Sequence, residues 1–276
     1  MNTTPRAWLH ENGAWIPEAN LPVTDRAIRY GMAVFETIGI RQGQPLLLEE
    51  HLALLNESAR TLLSVPVGSA GLRLVEQAYG SESLSGPLPA LQKEDTGVLR
   101  LYVTAGDGAP AAAVTTPRLF ALFEPHDPSA LPDQQSARLH PEPVAPFAHG
   151  HKTANYWMNC AAQAEAQRAG LDHALLADHQ GHLLSAAFGN IFFVLNGELC
   201  TPPLSLAVRP GVIRAWVMRQ QPVREIEFPA ARLADVTELF LTNSRLGVMP
   251  LHCCAIAPGP TGRALRAAAL RGNIVP

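Results

Sequence analysis

The sequence predicts an α+β protein of two domains, on three observations. Strand-like and helix-like segments are interleaved in both halves of the 276 residues. Hairpin signals outnumber the strand–helix–strand units that a doubly wound parallel sheet requires. Apolar residues make up 47% of the chain and charged residues 16%, which suits a well-buried globular enzyme and excludes a disordered chain. The net charge of −3, without a basic run, gives no footing for nucleic acid or an anionic membrane. No apolar stretch approaches a membrane span, and the start, Met1 to Pro5, has no signal-peptide core. Cys160, Cys200, Cys253 and Cys254 lack metal-ligand spacing, and adjacent Cys253 and Cys254 favour reduced thiols over a strained disulfide. A cytoplasmic protein is expected.

The elements follow in order. Trp8-Leu9 and Trp15-Ile16 flank Asn12-Gly13, a hairpin signal. Ala33 to Arg41 reads as a strand that turns at Gln42-Gly43-Gln44. A helix is expected from Leu48 to Ser64, with Leu52, Leu55, Ala59 and Leu62 on one stripe, and a second from Ala70 to Tyr79. Ser81 to Gln92, rich in Gly, Ser and Pro, reads as loop. Strands are expected at Val98–Thr104 and Arg118–Phe123. The proline-rich stretch from Glu124 to Pro146 reads as an interdomain linker with an edge strand.

Tyr156 to Ala169 is helical in composition and is stopped by Gly170. Strands follow at His173–Ala177, at Leu183-Leu184, and at Ile191–Leu195, which pairs through Asn196-Gly197 with Glu198–Thr201. Arg209-Pro210-Gly211 opens a helix whose free N–H groups could hold a phosphate. Val223–Phe228 reads as strand, Ala230–Ala234 as a helical turn, Glu238–Leu241 as a strand ending at Thr242-Asn243-Ser244, and Gly262–Arg271 as the closing helix. The expected domains are 1–124, a linker and edge segment at 125–146, and 147–276.

The chain contains two lysines, Lys93 and Lys152, against nineteen arginines. It keeps an amine at Lys152, within His149-Gly150-His151-Lys152-Thr153-Ala154-Asn155-Tyr156. An amine can lose its proton and attack a carbonyl, which a guanidinium cannot. A surface lysine ahead of a helix is the plain alternative.

Taken together the motifs resemble the class IV pyridoxal-phosphate enzymes: branched-chain and D-amino-acid aminotransferases and aminodeoxychorismate lyase. The matching residues are Asp25-Arg26 through Tyr30-Gly31 to Phe35-Glu36-Thr37, then His51-Leu52 to Ser58, then Lys152 to Tyr156. Asp172 to Leu176, Gly181, Asn190-Ile191-Phe192 and Arg209 to Arg214 continue the series. Phe240 to Ser244, with Gly247 and Pro250 behind, looks most like the lyase branch.

The resemblance implies a two-domain fold of the D-amino-acid aminotransferase type, a homodimer, and pyridoxal 5′-phosphate between the domains. It implies Lys152, in the C-terminal domain, as the Schiff-base lysine that also moves the proton. Tyr156 would bond the cofactor's phenolic oxygen and Ser185 its pyridine nitrogen. Asn190, the N–H groups of Val212 and Ile213, and Asn243 and Ser244 complete the implied cofactor site.

Three positions depart from the family pattern. Ser185 stands where the family carries a Glu that pairs with the pyridine nitrogen, Leu54 where it places a phosphate-binding Arg, and Ala105 where an Arg often precedes a Gly. A lost charge-assisted contact at Leu54 costs about 1.5–3 kcal/mol, or roughly ten- to a hundredfold in affinity. A hydroxyl at Ser185 leaves the ring a weaker electron sink, which favours elimination over transamination. The expected function is therefore a lyase making 4-aminobenzoate and pyruvate from 4-amino-4-deoxychorismate, for folate synthesis. The alternatives are a class IV aminotransferase and a non-catalytic homologue.

Overall fold

The computed structural model describes residues 4–12, 14–18, 20–64, 88–146 and 150–276. The chain divides into two compact units. The expected helix at Ala70–Tyr79, residues 81–87 of the expected loop, Gly13 of the first turn and His149 lie outside the described residues.

The first unit comprises Met1–Pro128, His151–Asn155 and Pro276. Its strands are β1 (Arg6–Glu11), β2 (Ala14–Pro17), β3 (Ala33–Arg41), β4 (Gln44–Pro45), β5 (Gly97–Thr104) and β6 (Leu119–Pro125). They form an antiparallel sheet in the order β2-β1-β6-β5-β3-β4. Alternation along β3 decides the core: Val34, Ile38 and Ile40 pack with Leu52, Leu55, Ala59 and Leu63 of helix α2 (Leu48–Leu63).

The short helix α1 (Arg26–Tyr30) has no apolar stripe to announce it, and Asp25 caps it by accepting from the Ala27 N–H. Gly31 ends it at φ +67°, and a Cβ there would meet the Asn155 Oδ1 at 2.3 Å.

The second unit comprises Ser129–Gly150 and Tyr156–Val275. Its strands are β7 (Gln135–Leu139), β8 (His173–Ala177), β9 (Leu183–Ala186), β10 (Asn190–Leu195), β11 (Glu198–Thr201), β12 (Arg224–Glu225), β13 (Glu238–Asn243) and β14 (Gly247–Cys253). They lie in the order β12-β11-β10-β13-β14-β7-β8-β9. Helices α3 (Trp157–Arg168), α4 (Val212–Gln220) and α5 (Pro260–Arg271) belong to this unit. Phe192 and Phe240 stack beneath α4 and α5, with Trp216, Val217 and Leu265.

Three expectations are corrected, and one strand is added. Lys152 belongs to the first unit and not to a C-terminal domain, because residues 151–155 pair with β3. Thr153 bridges Val34, the Phe35 N–H donates to the Lys152 carbonyl at 2.9 Å, and the Ala154 N–H donates to the Ala33 carbonyl at 2.9 Å. β7 is interior and not an edge strand: it runs parallel to both β14 and β8. The surrounding prolines all lie outside Gln135–Leu139, so its ladder donors are intact.

β14 is a strand that Pro250 hides from sequence reading. Pro250 faces Phe240 of β13, and the ladder to β7 begins only at Leu251, so the missing N–H removes no bond on that side. The strand expected at Val223–Phe228 shrinks to Arg224–Glu225, parallel to β11.

Candidate active site

Lys152 is half-buried, and its Nζ lies 4.6 Å from the centroid of the Phe35 ring. That ring begins a stack, with Tyr102 at 4.8 Å and Phe120 at 4.3 Å beyond it. Glu36 and His51 are buried together, with His51 Nδ1 2.9 Å from the Glu36 Oε2. Burial, and then the positive charge of Lys152, push the His51 imidazole down to about 4, so it is neutral near pH 7. Glu36 and the neutral His51 ring share one hydrogen bond, whose donor is set by the imidazole tautomer.

The Asp25-Arg26 motif shapes the loop after β5. Asp25 is fully buried and accepts from Thr104 Oγ1 at 2.9 Å and from Arg118 at 2.8 Å. Arg26, equally buried, donates to the carbonyls of Gly106, Ala109 and Ala112 at 3.2, 3.3 and 2.7 Å, and to that of Ala105. Ala105 is thus a buried backbone acceptor for Arg26. Leu54 is half-buried on α2, and its carbonyl accepts from Ser58 Oγ at 2.8 Å.

In the second unit, the Asn190 side chain and the start of α4 meet. The Asn190 amide donates to the Arg209 carbonyl at 2.7 Å, and a Cβ at Gly211 would lie 2.2 Å from its Oδ1. Asn190 therefore holds the entry to α4 in place. Gly211 caps that helix in an extended conformation, with no side-chain cap and no acidic residue in the first turn. The N–H groups of Val212 and Ile213 have no intrahelical acceptor and keep their donor capacity for an anion.

Phe188 joins two more predicted residues. The Tyr156 ring stacks on it at 5.8 Å, and the Asn243 amide donates to its carbonyl at 2.9 Å. The Asn243 Oδ1 accepts from the N–H groups of Arg245 and Leu246 at 3.0 and 2.7 Å, so this side chain builds the turn after β13. Ser244 follows it, half-buried. Among the described residues, the neighbouring Thr242 hydroxyl is buried without a partner. Ser185 is half-buried on β9, opposite Leu176 of β8, five residues before Asn190. Among the described residues, no side-chain hydrogen bond joins it to the other predicted residues.

Sequence reading placed Arg209 in the motif that opens α4 without giving its side chain a role, and the structure sets that side chain beside the helix entry. Burial lowers its guanidinium to about 10, and its Nη1 lies 3.5 Å from the Gly150 carbonyl. The available signal was an arginine directly before the Pro-Gly that opens α4. Among the described residues no His, Cys, Asp or Glu cluster could hold a metal, and the four cysteines are free. No helix among them is long and apolar enough to cross a membrane.

Residues 33–254 match the model of a family described as amino-transferase class IV. A putative branched-chain-amino-acid aminotransferase of Methanocaldococcus jannaschii is 27% identical over 259 residues, 88% of this chain and 86% of its own. An aminodeoxychorismate lyase of Vibrio harveyi is 25% identical over 253 residues, 86% of this chain and 88% of its own. The crystal structure of a 4-amino-4-deoxychorismate lyase from Pseudomonas aeruginosa superposes with a TM-score of 0.78 and 29% identity, covering 97% of this chain and 99% of that one. Pyridoxal 5′-phosphate is the cofactor of this class.

Proposed function

The chain belongs to the class IV aminotransferase family of enzymes, and from that premise we propose that it is a pyridoxal 5′-phosphate-dependent lyase. Its substrate in this reading is 4-amino-4-deoxychorismate, and its products are 4-aminobenzoate and pyruvate. The residues present fit the cofactor. An uncapped helix start without acidic residues, and a buried unpaired hydroxyl at Thr242, suit a phosphate. The Ser185 hydroxyl suits an unprotonated pyridine nitrogen.

Bound, the cofactor supplies an aldehyde to which amines attach and a ring that withdraws electrons from them. Lys152 is the amine that would hold the cofactor through its aldehyde carbon. The same amine, when not attached, would move the substrate's proton from the ring carbon bearing its amine toward the leaving side. The N–H groups of Val212 and Ile213 hold the phosphate, with Asn243 and Ser244 at the neighbouring turn. Tyr156 bonds the phenolic oxygen, while Asn190 supports the site by fixing the Arg209–Gly211 entry to α4. A homodimer, a cytoplasmic location and a place in folate synthesis belong to the same reading.

Ser185 carries the choice of lyase. A neutral hydroxyl offers no negative charge to hold a protonated pyridine, so reactions that store charge on the ring are disfavoured. Elimination driven by forming an aromatic product asks less of it. The experiment compares pyruvate release from aminodeoxychorismate with amino-group exchange between D- or L-amino acids and keto acids. Pyruvate release is expected to be the faster; faster exchange would assign the chain to the aminotransferases of the family.

A further inference from the structure

The bridge between Val34 and Thr153 sets an antiparallel register in which Phe35 stands opposite Lys152, and Glu36 opposite His151. Opposed residues share a face, so Lys152 lies over Phe35 while His151 turns the other way, beneath α2. There its Nδ1 is 2.9 Å from the Oγ of Ser58, a residue only 2% exposed. Ser58 has one proton, and that proton goes to the Leu54 carbonyl at 2.8 Å. The hydroxyl therefore accepts, and His151 donates from Nδ1. The other groups facing this cluster are Glu36 from β3 and His51 from α2, bonded to each other at 2.9 Å. His51 and Ser58 are two turns apart on one stripe of α2.

We propose that His151 and Ser58 form a latch that positions Lys152. Residues 151–155 meet β3 through two backbone bonds, from the Phe35 N–H to the Lys152 carbonyl and from the Ala154 N–H to the Ala33 carbonyl. So short a ladder does not hold a register by itself. The Asn155 amide, donating to the Gly31 carbonyl at 3.2 Å, ties one end of the segment. The His151–Ser58 bond ties the other, and the amine lies between the two ties. His151 and Ser58 are thus positioning residues, acting on the reaction through Lys152. This role rests on Lys152 being the cofactor lysine, whereas the latch itself belongs to the polypeptide.

The test uses the full chain with and without pyridoxal phosphate. Because the protein has only Lys93 and Lys152, acetic anhydride labelling read by mass spectrometry gives a clean ratio of the two. His151→Ala and Ser58→Ala are expected to speed amide hydrogen exchange at Phe35 and Ala154 about tenfold, with the β5–β6 ladder unchanged. They should also raise the Lys152:Lys93 labelling ratio and lower kcat while KM stays near its original value.

His151→Asn keeps a donor at the δ position and should restore all three readings; His151→Gln should not. Restoration by Gln and not by Asn would assign the function to Nε2 and overturn the latch, as would exchange unchanged in both Ala variants. If an Ala variant loosens the whole unit, exchange rises in the β5–β6 ladder too, and His151→Asn against His151→Gln then decides. Failure of Lys152 as the cofactor lysine has a separate signature: borohydride would not fix the cofactor to Lys152 in the unsubstituted chain, while exchange and labelling kept their pattern.

Discussion

The two units equip themselves in opposite ways. Around Lys152 the first unit gathers ionisable groups: Glu36 and His51 buried as a bonded pair, and His151 tied to Ser58. The candidate residues of the second unit are neutral: Tyr156, Ser185, Asn190, two N–H groups of a helix start, Asn243 and Ser244. Arg209 is the cation beside them. Fixed dipoles hold a ligand without changing charge as it reacts, whereas an amine that moves protons needs neighbours that fix where it sits.

The largest effect comes from removing the amine. Lys152→Ala should abolish turnover and reductive trapping of the cofactor by borohydride while the protein stays folded, as circular dichroism and a thermal melt will show. The side chain is half-buried over Phe35 and belongs to no core cluster, so no cavity forms. Lys152→Arg should fail equally, since guanidinium cannot attach the aldehyde. An active arginine variant would leave the first unit with a merely electrostatic role.

The next largest is a stability effect confined to the first unit. The His51 imidazole is lowered from 6.5 to about 4 in the folded protein. As pH falls, the unfolded chain takes up this proton first, so the full contribution is present above about 6.5 and is lost progressively toward about 4. The loss is of order 3 kcal/mol. Urea midpoints between pH 7 and pH 4.5 measure it, and His51→Gln should flatten that part of the profile. Burial also lowers His173 in the second unit, with the same sign, so the difference between wild type and His51→Gln isolates the first.

Much of this was legible in the sequence, and the misses share a physical cause. β3 and α2 were readable because their periods of two and 3.6 stand out: Val34, Ile38 and Ile40 against Leu52, Leu55 and Ala59. Lys152 stood out by its rarity. What did not show was which sheet the lysine joins, because two backbone bonds to Ala33 and Phe35 leave no mark on side-chain pattern. Pro250 concealed β14, since composition cannot tell that the lost N–H has no ladder to serve. Asn190 and Asn243 read as ligand residues, yet each hydrogen-bonds the backbone around it, a use that any Asn near a turn can have.

A third prediction adds charge to the first unit. Leu54→Arg should tighten pyridoxal phosphate binding by roughly ten- to a hundredfold if α2 approaches the phosphate as the family pattern implies. Titration of the apoprotein by cofactor absorbance reads it directly. An unchanged affinity would mean that the α4 start, with Arg209, already meets the phosphate without help from α2.

The smallest expected effect comes from placing charge among the neutral candidate residues of the second unit. Ser185 lies half-buried on β9 between the buried residues Leu184 and Ala186. A carboxylate there would favour a protonated pyridine, because an opposite charge at hydrogen-bond distance stabilises the cation. The ring would then withdraw electrons more strongly, and amino-group exchange should gain relative to pyruvate release. The gain is held to several-fold, about 1 kcal/mol, because burying a longer charged side chain offsets part of it. Both rates are measured on the unsubstituted protein and on Ser185→Glu, with Ser185→Gln as the uncharged control of similar length. If Glu and Gln change the ratio equally, size and not charge decides the outcome. If only Glu raises exchange, the missing charge at Ser185 is what holds back amino-group exchange.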